Sequence, residues 1–131
     1  MRRVLVVEDE VLVGMMIEEM LHDLGYELAA LATHLDQALA LARSERFDFA
    51  ILDINLNGKH SFPVADVIRE RGLPFLFATG YGNRILDAPY NGAPILQKPF
   101  SLEELHRTLE RAGLWHQAAG GTIVPSGSDA Q

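Results

Sequence analysis

Val4-Leu5-Val6-Val7 is an unbroken aliphatic run halted by Glu8-Asp9-Glu10, the pattern of a short strand buried on both faces, as in a parallel sheet. Val13, Met16, Ile17, Met20, Leu21 and Leu24 then recur at the spacing of one helical face, and Gly25 stands where a helix C-cap belongs. Residues 26–33 form the next strand-like stretch. Leu35, Ala38, Leu39 and Ala42 predict a second helix, with Asp36 in the first turn, where the helix dipole favours an acid. The apolar run 47–52 delivers Asp53 at its end, ahead of the turn-forming pair Asn57-Gly58. A third helix is expected over 63–71 and a fourth strand over 74–79, followed by Gly80-Tyr81-Gly82, too glycine-rich to be helical unaided. From Asn83 to Pro94 periodicity is poor, and Pro89, Asn91 and Gly92 interrupt it, so a fourth helix is expected to be short or mobile. Residues 93–97 predict a fifth strand and Lys98-Pro99 a turn. Ser101 caps a last helix reaching about Ala112, with Glu104 completing a capping box.

Strands alternating with helices predict an α/β domain: a doubly wound, five-stranded parallel sheet with helices on both faces. Such a fold binds ligands beyond the carboxyl ends of its strands. Residues 1–113 are expected to form this domain. Residues 114–131, with Ala118-Ala119-Gly120-Gly121 and Pro125-Ser126-Gly127-Ser128, read as a flexible tail.

At 131 residues the chain is long enough to bury a core without covalent staples. It has no cysteine, which removes disulfides, thiolate metal sites and cysteine nucleophiles. No apolar stretch is long enough for a signal peptide or a membrane span, so a cytoplasmic location is the default expectation. A formal net charge of -7 argues against nucleic acid as a direct partner and suits a cation or a basic protein surface, although acidity of this size also serves plain solubility. The five histidines lie in different elements without metal-ligand spacing and read as surface or boundary residues.

The candidate chemistry sits where strands end. Glu8-Asp9, Asp53, Thr79 and Lys98 each close or directly follow a predicted strand, and in an open parallel sheet these ends meet on one edge. Three carboxylates gathered there repel one another unless a cation intervenes. Oxygen ligands of this kind suit Mg2+, with Mn2+ an alternative. Asp53 is placed to act as a nucleophile on phosphorus, Lys98 to supply a point charge and the Thr79 hydroxyl to donate to a developing oxygen. Taken singly, each has an ordinary explanation: a turn aspartate, a strand-end hydroxyl, a solvated lysine. Their joint placement carries the inference.

With these residues in view, the chain resembles, from about Arg2 to Ala112, the receiver domains of two-component response regulators. The resemblance implies a flavodoxin-like fold of strand order 2-1-3-4-5. It also implies that Glu8-Asp9 is the acidic pair, Asp53 the phosphoacceptor, Thr79 the switch hydroxyl, and Lys98 the active-site lysine before a proline whose preceding peptide bond is usually cis. Metal ligands would be Glu8, Asp9, Asp53 and the backbone carbonyl of Asn55. Phe77-Ala78-Thr79-Gly80-Tyr81-Gly82 and Asn55-Leu56-Asn57-Gly58 are similar to an atypical, often single-domain receiver subfamily of alphaproteobacteria. The implied partners are a sensor histidine kinase and an unknown downstream or phosphotransfer protein, with neither nucleic acid nor membrane. Asn55 and Tyr81 would flank the approach of hydrolytic water to Asp53. The sequence departs from the common receiver pattern at Ile95, where an aromatic switch residue is usual; Tyr81 or Tyr90 is an alternative switch, or packs in the core.

The function so implied is a stand-alone phosphoryl-accepting regulator, not an enzyme in the ordinary sense. Its output would come through partner binding, or it would serve as a phosphate shuttle or sink. Two alternatives stay open. A small aspartyl-phosphate phosphohydrolase usually needs a second acid two residues past the nucleophile, where this chain has Asn55. A receiver-like docking module that is never phosphorylated would have no use for the acidic pair, Asp53, Thr79 and Lys98.

Overall fold

The computed structural model describes residues 2–80, 90 and 92–113. Along the chain these form β1 (Arg3–Val7), α1 (Val11–Asp23), β2 (Glu27–Ala32), α2 (Leu35–Ser44) and β3 (Phe49–Asp53). Two short strands follow, β4 (Asn55–Leu56) and β5 (Lys59–His60), then α3 (Phe62–Glu70), β6 (Phe75–Thr79), β7 (Ile95–Gln97) and α4 (Leu102–Arg111). Five strands make a parallel sheet in the order β2-β1-β3-β6-β7. This is the expected doubly wound order. Of the stretch 83–94, where a short or mobile fourth helix is expected, residues 83–89 and 91 lie outside the described residues, and 90 and 92–94 are not helical.

The period of two along β1 sorts its side chains between two cores. Leu5 and Val7 face a cluster built with Ala38 and Ala42 of α2 and Val64, Ala65 and Ile68 of α3. Val4 and Val6 face the opposite cluster, with Ile17 and Leu21 of α1 and Leu105 and Leu109 of α4. Helices therefore cover both faces, and every residue of β3 is buried. That is why its sequence reads as a continuous apolar run and not as an alternating one.

Local stops hold the elements in phase. Gly25, at φ 92, donates its N–H to the His22 carbonyl, and the Tyr26 N–H reaches the Leu21 carbonyl. These two bonds satisfy the last carbonyls of α1. The Tyr26 amide thus belongs to the helix stop, so β2 begins one residue later than the pattern suggests, and the buried ring packs edge-on against Phe49. Asp48 pairs through both its N–H and its carboxylate with the Arg3 backbone. Phe47 and Asp48 thereby stay outside β3, while Asp53 is its last residue.

The β4–β5 hairpin is an element the apolar pattern did not predict. Its two-residue loop, Asn57 at φ 53 and Gly58 at φ 82, has the paired left-handed conformation of a tight hairpin turn, which asparagine and glycine tolerate. Leu56 is fully buried and pins the hairpin to the core.

Candidate functional site

Parallel strands deliver their carboxyl ends to one edge, and backbone hydrogen bonds extend the order past the strands themselves. Glu8 donates its N–H to the Ala32 carbonyl at 2.9 Å, Ile54 to Ala78 at 3.0 Å and Lys98 to Thr79 at 2.7 Å. Glu8, Asp53, Thr79 and Lys98 are thus fixed by the sheet, with Lys98 entering a cis peptide bond to Pro99.

Glu8, Asp9, Asp53, Asn55, Thr79 and Lys98 are all among the described residues, whereas Tyr81, expected beside the approach to Asp53, is not. One carboxylate oxygen each from Glu8, Asp9 and Asp53 lies within 4.8 Å of the others. The Lys98 ammonium donates to Glu8 Oε1 at 2.9 Å and to Asp53 Oδ2 at 3.1 Å. Glu8 Oε2 accepts the Glu10 N–H at 3.1 Å. Asp9 Oδ2 accepts the Asn57 N–H at 2.9 Å. Glu8, Asp53 and Thr79 are buried to 5% exposure or less, whereas Asp9 is half-buried. The Asn55 side-chain oxygen accepts the Gly58 N–H at 2.9 Å, so its amide group serves the hairpin turn.

Burial dominates the electrostatics. It pushes the Glu8 carboxyl up from 4.5 to about 7 against the opposing pull of Lys98 and the Glu10 amide, with the Asp53 charge adding to the rise. Burial likewise raises Asp53, although its hydrogen bond and attraction to Lys98 work the other way. At Asp9 the cost of burial is outweighed by the Asn57 amide and neighbouring donors, and the carboxyl sits below its ordinary value. Burial works against the Lys98 charge, but the hydrogen bonds to Glu8 and Asp53 outweigh it and raise that group. One lysine facing three carboxylates leaves an excess of negative charge. Hard oxygen donors with excess charge at one sheet edge fit a small divalent cation.

A cleft of about 850 Å³ opens over this edge, lined by Asp9, Asp53 and Lys98 and also by Met16, Met20 and Phe100. Beside it α1 exposes Val11, Leu12, Met15 and Met16.

Of the two candidate switch aromatics, Tyr81 lies outside the described residues. Tyr90 stacks on Phe62, with ring centroids 4.5 Å apart, and donates to Asp66 Oδ1 at 2.8 Å, with the Arg69 guanidinium over its ring. Ile95 is half-buried on β7, opposite Phe77. The described histidines are exposed or partly exposed, as expected. The contact not anticipated is that of Asn57 with Asp9. An Asn-Gly pair is a recognised hairpin signal, but the partner of its amide is 48 residues away and leaves no trace in local pattern.

A doubly wound α/β domain that gathers three carboxylates, a threonine and a lysine at the carboxyl edge of its sheet sets donors suited to a hard cation where folds of this class bind their ligands. The chain belongs to the response regulator receiver domain family, which it matches over residues 4–110. It is 32% identical over 115 residues to the transcriptional regulatory protein PdtaR of Mycobacterium tuberculosis, a match covering 85% of this chain. The chain spans only 56% of that regulator's length. The solution structure of SdrG from Sphingomonas melonis Fr1 superposes with a TM-score of 0.74 at 37% identity, covering 83% of this chain and 93% of SdrG. The receiver domain of sensor histidine kinase PA1611 from Pseudomonas aeruginosa PAO1, solved with a magnesium ion coordinated in its active site cleft, superposes at 0.70 with 30% identity, covering 87% of this chain and 96% of that one. Among the described residues no helix is long and apolar enough to cross a membrane.

Proposed function

We propose that the protein is a phosphoryl-accepting signalling domain whose acceptor is Asp53. The observation that carries this reading is the Lys98 ammonium held between Glu8 and Asp53, with the Asp9 carboxylate completing a cluster no wider than 4.8 Å. Glu8, Asp9, Asp53 and the Asn55 backbone carbonyl would hold the cation, Mg2+ in the first instance. Bound there, a divalent cation neutralises charge on the transferring phosphoryl group.

The chain's own groups do the rest. An Asp53 carboxylate oxygen forms the new bond to phosphorus while the donor's bond to phosphorus breaks, its electron pair leaving with the donor. Lys98 is within hydrogen-bond reach of Asp53 and can follow the charge onto a phosphoryl oxygen. Thr79, buried at the end of β6, would donate to another and carry the change into Gly80. The donor is a sensor histidine kinase, and output passes through a downstream protein or through onward phosphotransfer, without contact to nucleic acid or membrane. The magnesium-bound PA1611 receiver and the likeness to SdrG support this reading, and the Phe77-Ala78-Thr79-Gly80-Tyr81-Gly82 run supports the alphaproteobacterial single-domain subgroup.

The test is intact-mass analysis after incubation with magnesium and a small acyl phosphate. The native chain should gain one phosphoryl group. No gain is expected in Asp53→Asn or without magnesium. An adduct that persists in Asp53→Asn would move the acceptor elsewhere.

A further inference from the structure

Besides Asn55, whose backbone carbonyl is assigned above to the cation, the β4–β5 hairpin meets the site at Asn57, and that residue has no role in the chemistry above. Asn57 occupies a left-handed conformation at φ 53, donates its backbone N–H to Asp9 Oδ2 at 2.9 Å, and donates its side-chain amide to the Thr33 carbonyl at 3.1 Å. Leu56, one residue earlier, is fully buried, while Asn57 and Gly58 are exposed. The hairpin is therefore anchored at its base in the core and at its tip on the loop after β2. Between these anchors it presents one backbone donor to the least buried of the three clustered carboxylates.

We propose that Asn57 is a positioning residue for the cation: the Asn57–Thr33 tether holds the hairpin tip so that its amide locks Asp9 in a metal-ready orientation. An amide on one carboxylate oxygen restricts rotation of the group and leaves the second oxygen for a metal, so less ordering remains to be done when the ion binds. The residue type follows from two demands at once. The turn needs a side chain that tolerates positive φ, and the tether needs a donor that reaches the Thr33 carbonyl. Asparagine meets both, whereas glycine meets only the first. The inference rests on the cation reading above and adds to it a residue outside the ligand set.

Asn57→Gly keeps the turn conformation and the backbone N–H but removes the tether. The expected result is a rise of about tenfold in the magnesium concentration giving half-maximal phosphorylation of Asp53, the scale on which residues that orient a metal ligand act. Phosphorylation at saturating magnesium should match the native chain. A residue that only held the fold together would change the saturated level instead. Direct magnesium titration by calorimetry should give the same shift.

A native half-saturation in Asn57→Gly, with the native chain binding magnesium normally, overturns the positioning role alone. A native chain that takes up no magnesium overturns the cation reading and this inference with it. Should Asn57→Gly fail to fold, amide exchange carries the test: the exposed Asn57 N–H should exchange slowly in the native chain and at least about tenfold faster in Asp9→Ala, because the Asp9 carboxylate is its acceptor. Equal exchange in the two would overturn the proposal.

Discussion

At the scale of single residues, Glu8 shows how burial and pairing compete. Its carboxyl is 1% exposed and bonded to Lys98 and the Glu10 amide, yet burial leaves it at about 7. A carboxyl raised on folding makes the folded state bind more protons than the unfolded one between the two values. Without divalent cations, stability should therefore fall as pH rises from about 4.5 through 7, by roughly 1–3 kcal/mol in all. Asp53, shifted the same way, adds to the trend, whereas the lowered Asp9 contributes a stability that is constant above its unfolded value. Urea unfolding at pH 5 and pH 8 in chelator checks this, and stability equal at the two would refute it. Magnesium should reverse the trend, because binding favours the deprotonated site.

At the scale of elements, the ends of the helices matter more than their middles. α4 has a complete capping box: the Ser101 hydroxyl accepts the Glu104 N–H and the Glu104 carboxylate accepts the Ser101 N–H. Ser101→Ala should cost about 1 kcal/mol, read from the urea midpoint with an unchanged slope. The loss should leave phosphorylation of Asp53 intact, since Ser101 is exposed and makes neither of the bonds that hold Lys98. α2 is finished differently. The Arg71 guanidinium, from just past α3, donates to the Ala42 and Glu45 carbonyls and lies over the Phe47 ring. That cap joins two helices distant in sequence, whereas the α4 box is local and was legible as Ser101 with Glu104 three residues on.

At the scale of the molecule, β3 joins the packing to the chemistry. Leu52 is fully buried in the core against α2 and α3, and its neighbour Asp53 holds the site. Leu52→Ala should destabilise the protein by roughly 2–5 kcal/mol, a large share of the ~5–15 kcal/mol that keeps a domain folded. Thermal unfolding would show it as a drop in midpoint. A loss below 1 kcal/mol would mean that the core around β3 closes over the cavity.

The sequence by itself determined the alternation of strand and helix, the buried character of β1 and β3, the α4 cap and the placement of Glu8, Asp9, Asp53, Thr79 and Lys98 at strand ends. All of these are encoded in residues close along the chain, through periodicity, capping spacing and the abrupt change from aliphatic to charged side chains. The strand order was legible only through family resemblance, because local pattern does not say which strands are neighbours. Tertiary structure alone decided that Lys98 bridges Glu8 and Asp53 across 90 and 45 residues, that the Asn57 amide meets Asp9, and that Tyr90 stacks on Phe62. It also decided which carboxyls are raised and which is lowered, since that depends on how much water and how many donors the fold leaves around each group. The physical reason is the same in each case. Side chains close along the chain interact through backbone geometry, whereas these groups meet only after the sheet has assembled.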